Sequence, residues 1–173
     1  MKTAEIVSHI RNVPDFPKKG ILFKDITTAL KKPEVFKAII DNLYELVQNL
    51  EIDYIAAIES RGYLFGAPLA YKLGVGLVLI RKPGKLPAET IREDYSLEYG
   101  TDALEMHKDA IEKGKKVLLV DDLLATGGTI KASGRLVEKA GGNVVGGLFL
   151  IELKTLSKNT NLPFPTYSLI PCE

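Results

Sequence analysis

The chain has little sulfur chemistry to offer. Of its 173 residues a single one is cysteine, Cys172, which cannot form an intramolecular disulfide, and two histidines without a thiol cluster cannot build a typical structural zinc site. Charge of one sign is missing too. With 23 basic and 22 acidic residues the formal net charge is +1, so no field advertises nucleic acid or an anionic membrane as the main partner. Any phosphate site must therefore be local. Apolar runs are short: none approaches the roughly 18 residues that a bilayer crossing needs, and charges interrupt the apolar positions of the N-terminal MKTAEIVSHIRN. A cytoplasmic protein is expected, without membrane or nucleic-acid partners. Internal repeats are absent, as are the GxxxxGK(S/T) phosphate loop and the GxGxxG dinucleotide fingerprint, which disfavours ATP hydrolysis and NAD binding.

What is present suits one compact domain over residues 1–173, since 46% of the residues are hydrophobic and 26% charged. Glu34 to Leu50 carries apolar groups at Val35, Phe36, Ile39, Ile40, Leu43, Leu46, Val47 and Leu50, a helical stripe that Pro33 is placed to open. Tyr54 to Ile58, Val75 to Ile80 and Val117 to Val120 are nearly continuous aliphatic runs, as in parallel strands covered on both faces. Gly62 to Lys72 and Thr129 to Ala140 are long enough for crossover helices, and a further strand is expected over Val144 to Ile151. This alternation predicts an α/β fold with a mostly parallel central sheet flanked by helices. Residues 82–100, KPGKLPAETIREDYSLEYG, start rich in charge, Gly and Pro and end strand-like. They read as a long excursion from the sheet, and such loops often serve as lids.

The chemistry concentrates in Val117 to Ile130, VLLVDDLLATGGTI. Asp121 and Asp122 follow four aliphatic residues, at the C-terminal end of a buried strand, where open α/β sheets bind ligands. Ala125, Thr126, Gly127, Gly128 and Thr129 then free the backbone to curl into a helix whose first N–H groups lack intrahelical partners. One phosphate can supply those partners, helped by the two threonine hydroxyls and the helix dipole. The carboxylates would repel that phosphate, so they need another task, and the hydroxyls of a ribose attached to it are donors that they bind well. A glycine pair alone is often mere punctuation; the combination of acids, small residues and helix start makes a sugar-phosphate site.

This stretch resembles the phosphoribosyl diphosphate motif of type I phosphoribosyltransferases through the strand, both acids and the TGGT. FPKKGILFKDIT, ESRGYLFGAPLA, RKPGKLPAET and YSLEYGTDALEMH look like the adenine-using members, in the same order over nearly the whole chain. The resemblance implies the type I fold with a small N-terminal hood over residues 1–33 and a flexible lid over 82–100. It also implies transfer of a phosphoribosyl group from 5-phosphoribosyl 1-diphosphate to adenine, giving AMP and pyrophosphate with Mg2+, by a homodimer.

Such a transfer displaces pyrophosphate at the anomeric carbon while positive charge builds on the ribose, so the protein must position two substrates and stabilise opposite charges. Asp121 and Asp122 suit the ribose side. Ser60, Arg61 and Gly62 follow a strand end, where Arg61 can grip phosphate oxygens as a planar fork; the resemblance adds a non-proline cis peptide in this turn. Arg81, Lys82 and Lys85 look like a cationic jaw over the diphosphate. By the same resemblance Phe23 stacks on the base, Leu123 covers its other face, and backbone groups of Leu22 and Lys24 read its edge. Glu98 and Tyr99 match lid residues, Glu98 taking the proton chemistry on the purine. Magnesium is held mainly through substrate and water, so its protein ligands are unknown, and neither His9 nor His107 receives a role. Another purine acceptor and a non-enzymatic sensor are the rival readings; the GILFKDIT arm speaks against the first, and the lack of room for a helix-turn-helix segment against the second.

Overall fold

The computed structural model describes every residue except Glu98 and Tyr99, and of Leu97 only the backbone. The chain forms two compact units, Met1–Asn42 and Leu43–Glu173.

The first unit begins with helix α1 (Thr3–Val7) and the antiparallel pair β1 (Arg11–Pro14) and β2 (Leu22–Asp25), in register at Val13 and Phe23. Helices α2 (Thr27–Leu30) and α3 (Pro33–Val47) follow, the second crossing into the next unit. Val35, Ile39, Leu43 and Val47 of α3 are fully or almost fully buried, the outcome of their helical spacing. Asp25 ties β2 to α2: its carboxylate accepts the Thr27 N–H at 2.9 Å and hydroxyl at 2.7 Å, and the Arg11 guanidinium at 2.5 Å. The Thr27 hydroxyl, then Arg11 and the Thr27 N–H, hold its pKa down at about 2 against the ordinary 3.8. A carboxyl depressed on folding contributes stability above its unfolded pKa and loses it as pH falls through the folded value. Asp25→Asn is therefore expected to melt below the unmodified chain at pH 6, with the gap closing as both are titrated from pH 4 to about 2.

The second unit holds β3 (Tyr54–Ile58), α4 (Tyr63–Leu73), β4 (Gly76–Ile80), β5 (Thr90–Leu97), β6 (Gly100–His107), β7 (Lys116–Leu124), α5 (Gly128–Lys139), β8 (Asn143–Leu153), α6 (Lys154–Ser157) and β9 (Thr166–Cys172). Five strands form a wholly parallel sheet in the order β4-β3-β7-β8-β9. The aliphatic centres of β3 and β7 are buried from Ile55 to Ile58 and from Val117 to Val120, because the crossovers cover both faces of an inner parallel strand. Gly66 lets α4 approach β3 closely, since an added Cβ would stand 2.5 Å from the Ala57 Cβ. Strands β5 and β6 form a separate antiparallel pair, whose Tyr95, Leu104 and Met106 join the core with Ile130 and Leu136 of α5. Glu93 of β5 also binds Arg135 and Lys139 of α5.

Three expectations need correction. The Val75 to Ile80 run is an edge strand, and Leu77 and Leu79 on one of its faces are about two-fifths exposed. The excursion is strand-like over Thr90–Leu97, as expected, but it pairs there with β6, a partner that was not foreseen. Finally, β7 runs on through both aspartates to Leu124 instead of stopping at Val120, because β8 keeps pairing with it there.

Candidate active site

Three chain segments meet at the C-terminal edge of the parallel sheet. The first leaves β3 as Glu59, Ser60, Arg61 and Gly62, with a cis peptide between Glu59 and Ser60. The second is the end of β7. Its pairing with β3 stops at Ala57 and Val120, whereas its pairing with β8 continues to Leu124 and Glu152, so Asp121 and Asp122 have a strand neighbour on one side and a cleft on the other. The third is the turn into α5.

The acids and Arg61 form one electrostatic group. Asp122 is buried and its carboxylate accepts a hydrogen bond from Arg61 Nε, while its backbone N–H donates to Asp121 Oδ1 at 2.8 Å. Burial pushes the Asp121 carboxyl well above the usual carboxylate range, and the charge of Asp122 pushes the same way. For Arg61, burial works against the cation but is outweighed by the hydrogen bond and charge of Asp122, leaving its pKa raised.

Gly127 turns the chain with φ +80° and packs against Thr160, whose Cγ2 would lie 2.8 Å from an added Cβ. No described side chain caps α5 at this end, so its first N–H groups are available to an anion. Leu123, Ala125, Thr126, Gly127, Gly128 and Thr129 line a cleft of about 210 Å3 that also reaches Arg61 and both acids. A neighbouring cleft of about 360 Å3 shares Arg61, Asp121, Asp122 and Thr129 and adds Ser60 and Lys82.

The cations after β4 are held by acids. Glu59 accepts the Lys85 ammonium at 2.8 Å, the Lys82 N–H at 2.8 Å and Arg81 Nε at 3.3 Å. Burial would raise the Glu59 pKa, yet Lys85, the Lys82 N–H and Arg81 together keep it below its ordinary value. The Lys82 ammonium binds Asp102 and lies 3.4 Å from the Tyr95 hydroxyl.

Of the residues singled out from sequence, Ser60, Arg61, Lys82, Asp121 to Leu123 and Ala125 to Thr129 thus converge on the two clefts. Arg81 and Lys85 are linked to them through Glu59, and Gly62 stands at the start of α4. Leu22, Phe23 and Lys24 are placed in the other unit, on β2. There the Phe23 ring meets Phe16 edge-on at 5.1 Å and the Lys24 ammonium binds Asn12 at 2.8 Å. Glu98 and Tyr99 lie outside the described residues. Glu59, Tyr95 and Asp102 were missed. Glu59 could have been found as an acid beside Ser60 at a strand end, whereas Asp102 reaches the site only through its register with Tyr95 across the β5–β6 pair.

A phosphate-ready turn, two acids and an arginine at the edge of a parallel sheet define a class of sugar-phosphate-binding α/β proteins, and comparison with known proteins specifies it. The profile of the phosphoribosyl transferase domain matches residues 26–160, and the chain belongs to that family. A protein of Thermoanaerobacter sp. (strain X514) named adenine phosphoribosyltransferase is 58% identical over 162 residues, 94% of each chain. The crystal structure of adenine phosphoribosyltransferase from Thermoanaerobacter pseudethanolicus superposes with a TM-score of 0.96 at 55% identity, covering 99% of this chain and 100% of that one. The Saccharomyces cerevisiae enzyme, crystallised with adenine and an imino-altritol bisphosphate, gives 0.91 at 41% identity over 97% of this chain and 98% of its own.

Proposed function

We infer that the chain transfers the phosphoribosyl group of 5-phosphoribosyl 1-diphosphate to adenine, giving AMP and pyrophosphate, a pentosyl transfer of purine salvage. The observation that carries this reading is the convergence of the TGGT turn, Asp121, Asp122 and Arg61 on one strand-end cleft. The choice of adenine is supported by the relatives named for it and by the yeast complex that contains it.

The 5-phosphate takes the N–H groups of the turn from Ala125 to Thr129. Asp121 and Asp122 accept hydrogen bonds from the ribose hydroxyls and offset the positive charge that grows on the ring as the diphosphate departs. Ser60, Arg61, Gly62, Arg81, Lys82 and Lys85 serve the diphosphate, positioning it and stabilising its developing charge. Among the described residues no group of three or more His, Cys, Asp and Glu could hold a metal ion. Mg2+ is assigned mainly to substrate and water oxygens, where the ion would neutralise diphosphate charge. Adenine is assigned to Phe23 and Leu123 for stacking and to the backbone of Leu22 and Lys24 for edge recognition. Residues 1–33 are assigned as the hood and residues 82–100 as the lid, with Glu98 and Tyr99 among the lid residues. The enzyme is read as a cytoplasmic homodimer, without membrane or nucleic-acid partners.

The deciding assay is magnesium-dependent formation of AMP, with hypoxanthine and guanine as competing acceptors; a product from either in place of AMP would transfer the reading to another purine. Phosphoribosyl diphosphate binding without any nucleotide product would indicate a sensor. Glu98 is assigned proton transfer on the purine, so Glu98→Gln is expected to lower kcat by about a hundredfold when chemistry limits turnover, and unchanged saturated turnover would remove that role.

A further inference from the structure

Each cation proposed for the diphosphate is held by a carboxylate: Arg61 by Asp122, Arg81 and Lys85 by Glu59, and Lys82 by Asp102. Asp122 and Glu59 line the clefts themselves. Asp102 is different, since it reaches the site only through Lys82. It belongs to β6 and stands in register with Tyr95 of β5. Its Oδ1 accepts the Ala103 N–H at 2.8 Å, and its Oδ2 receives the Lys82 ammonium and the Tyr95 hydroxyl, the latter at 3.2 Å. Tyr95 is buried, and its hydroxyl lies 3.5 Å from Thr129 Oγ1 in the phosphate turn. Asp102 is thus held by backbone and by a core tyrosine.

An ammonium has three donors, and Asp102 and Tyr95 engage two of those of Lys82. Asp102 also offsets the charge that Lys82 presents to the larger cleft. A diphosphate entering there must share Lys82 with a carboxylate that cannot follow it. We propose that Asp102 is a positioning residue that limits the grip of Lys82 on the diphosphate, keeping pyrophosphate loosely enough bound to leave. This rests on reading the cleft as the diphosphate site.

The test is direct calorimetric binding of magnesium pyrophosphate to the full chain. With its carboxylate removed, Asp102→Asn is expected to bind pyrophosphate about two- to fivefold more tightly, the range for a half-exposed ion pair. Asp102→Ala should shift the same way, which separates loss of charge from loss of fit. In a Lys82→Met background the gain should vanish, because Asp102 acts through Lys82; a purely structural role would leave it in place. Glu51→Gln, an equal change of charge outside the lid at an exposed pair with Lys116, should leave binding within about twofold of the unmodified chain, as expected for a screened surface charge. Weaker or unchanged binding in both Asp102 variants, a gain that survives Lys82→Met, or no pyrophosphate binding by the unmodified chain would each overturn the proposal. Its failure is distinguishable from that of the adenine reading: a chain that makes AMP while Asp102→Asn binds no tighter sinks only the former. Tighter binding in the variant without AMP formation by the unmodified chain sinks only the latter.

Discussion

Alanine at position 62 is expected to cost the protein both stability and activity. An added Cβ would stand 2.5 Å from the carbonyl oxygen of Ile58 and 2.6 Å from that of Val120; both are backbone atoms, Ile58 at the end of β3 and Val120 where the pairing of β3 with β7 stops. Neither can yield without moving the sheet. Overpacking of this kind costs about 1–3 kcal/mol or more, against a total stability of roughly 5–15 kcal/mol. The melting temperature should fall by about 5–10 °C for a domain of this size. Arg61 precedes this glycine directly, and a displacement of about 1 Å at a substrate-positioning group can cost a hundredfold in rate. A Gly62→Ala protein that melts normally and turns over normally would show that the close approach of α4 to the strand ends is not required.

Asp122→Asn should behave in the opposite way towards stability while costing as much or more in activity. Asp122 brings negative charge beside Asp121, whose half-buried carboxyl already resists ionisation. Removing that charge relieves repulsion between them, and Arg61, with its side chain about half exposed, can turn to water for its lost partner. The melting temperature is therefore expected to stay level or rise, a pattern typical of sites strained for function. The variant would lose a charge-assisted acceptor for ribose and negative charge beside the forming cation, and kcat should drop by about 10²–10³-fold, as when one preorganised electrostatic group is removed. Steady-state kinetics with both substrates saturating, set beside a thermal melt, checks both halves. Full activity would take Asp122 out of the reaction.

How much of this was legible before the fold was known depended on whether the signal was local. The run from Tyr54 to Ile58 is a strand with those same bounds, since five apolar residues between polar neighbours leave few alternatives. The VDDLLATGGT stretch announced its own geometry through an aliphatic strand, acids and small residues in sequence. The same locality misled at β7: an acidic pair looks like a strand end, but β8 continues to pair with it, and hydrogen bonding by a neighbour cannot be seen from one segment. Leu77 and Leu79 read as buried because edge position is a property of the sheet. The Lys82–Asp102–Tyr95 group was hidden for a similar reason, as the register of two strands brings it together.

The cleft acids show what that non-locality means for the life of the chain. Arg61 and Asp122 bond across 61 positions of sequence, and Asp53 receives the Lys116 N–H across 63. Closing a loop of that span costs entropy before any contact rewards it, and parallel pairing of this kind is slow to form. The pairing of β3 with β7 is therefore expected late in folding, and it is the pairing that brings Arg61 beside the acids. A nascent chain that has not yet emerged past Leu124 is expected to lack the cleft proposed for phosphoribosyl diphosphate. On that proposal, ligand capture awaits closure of the central sheet.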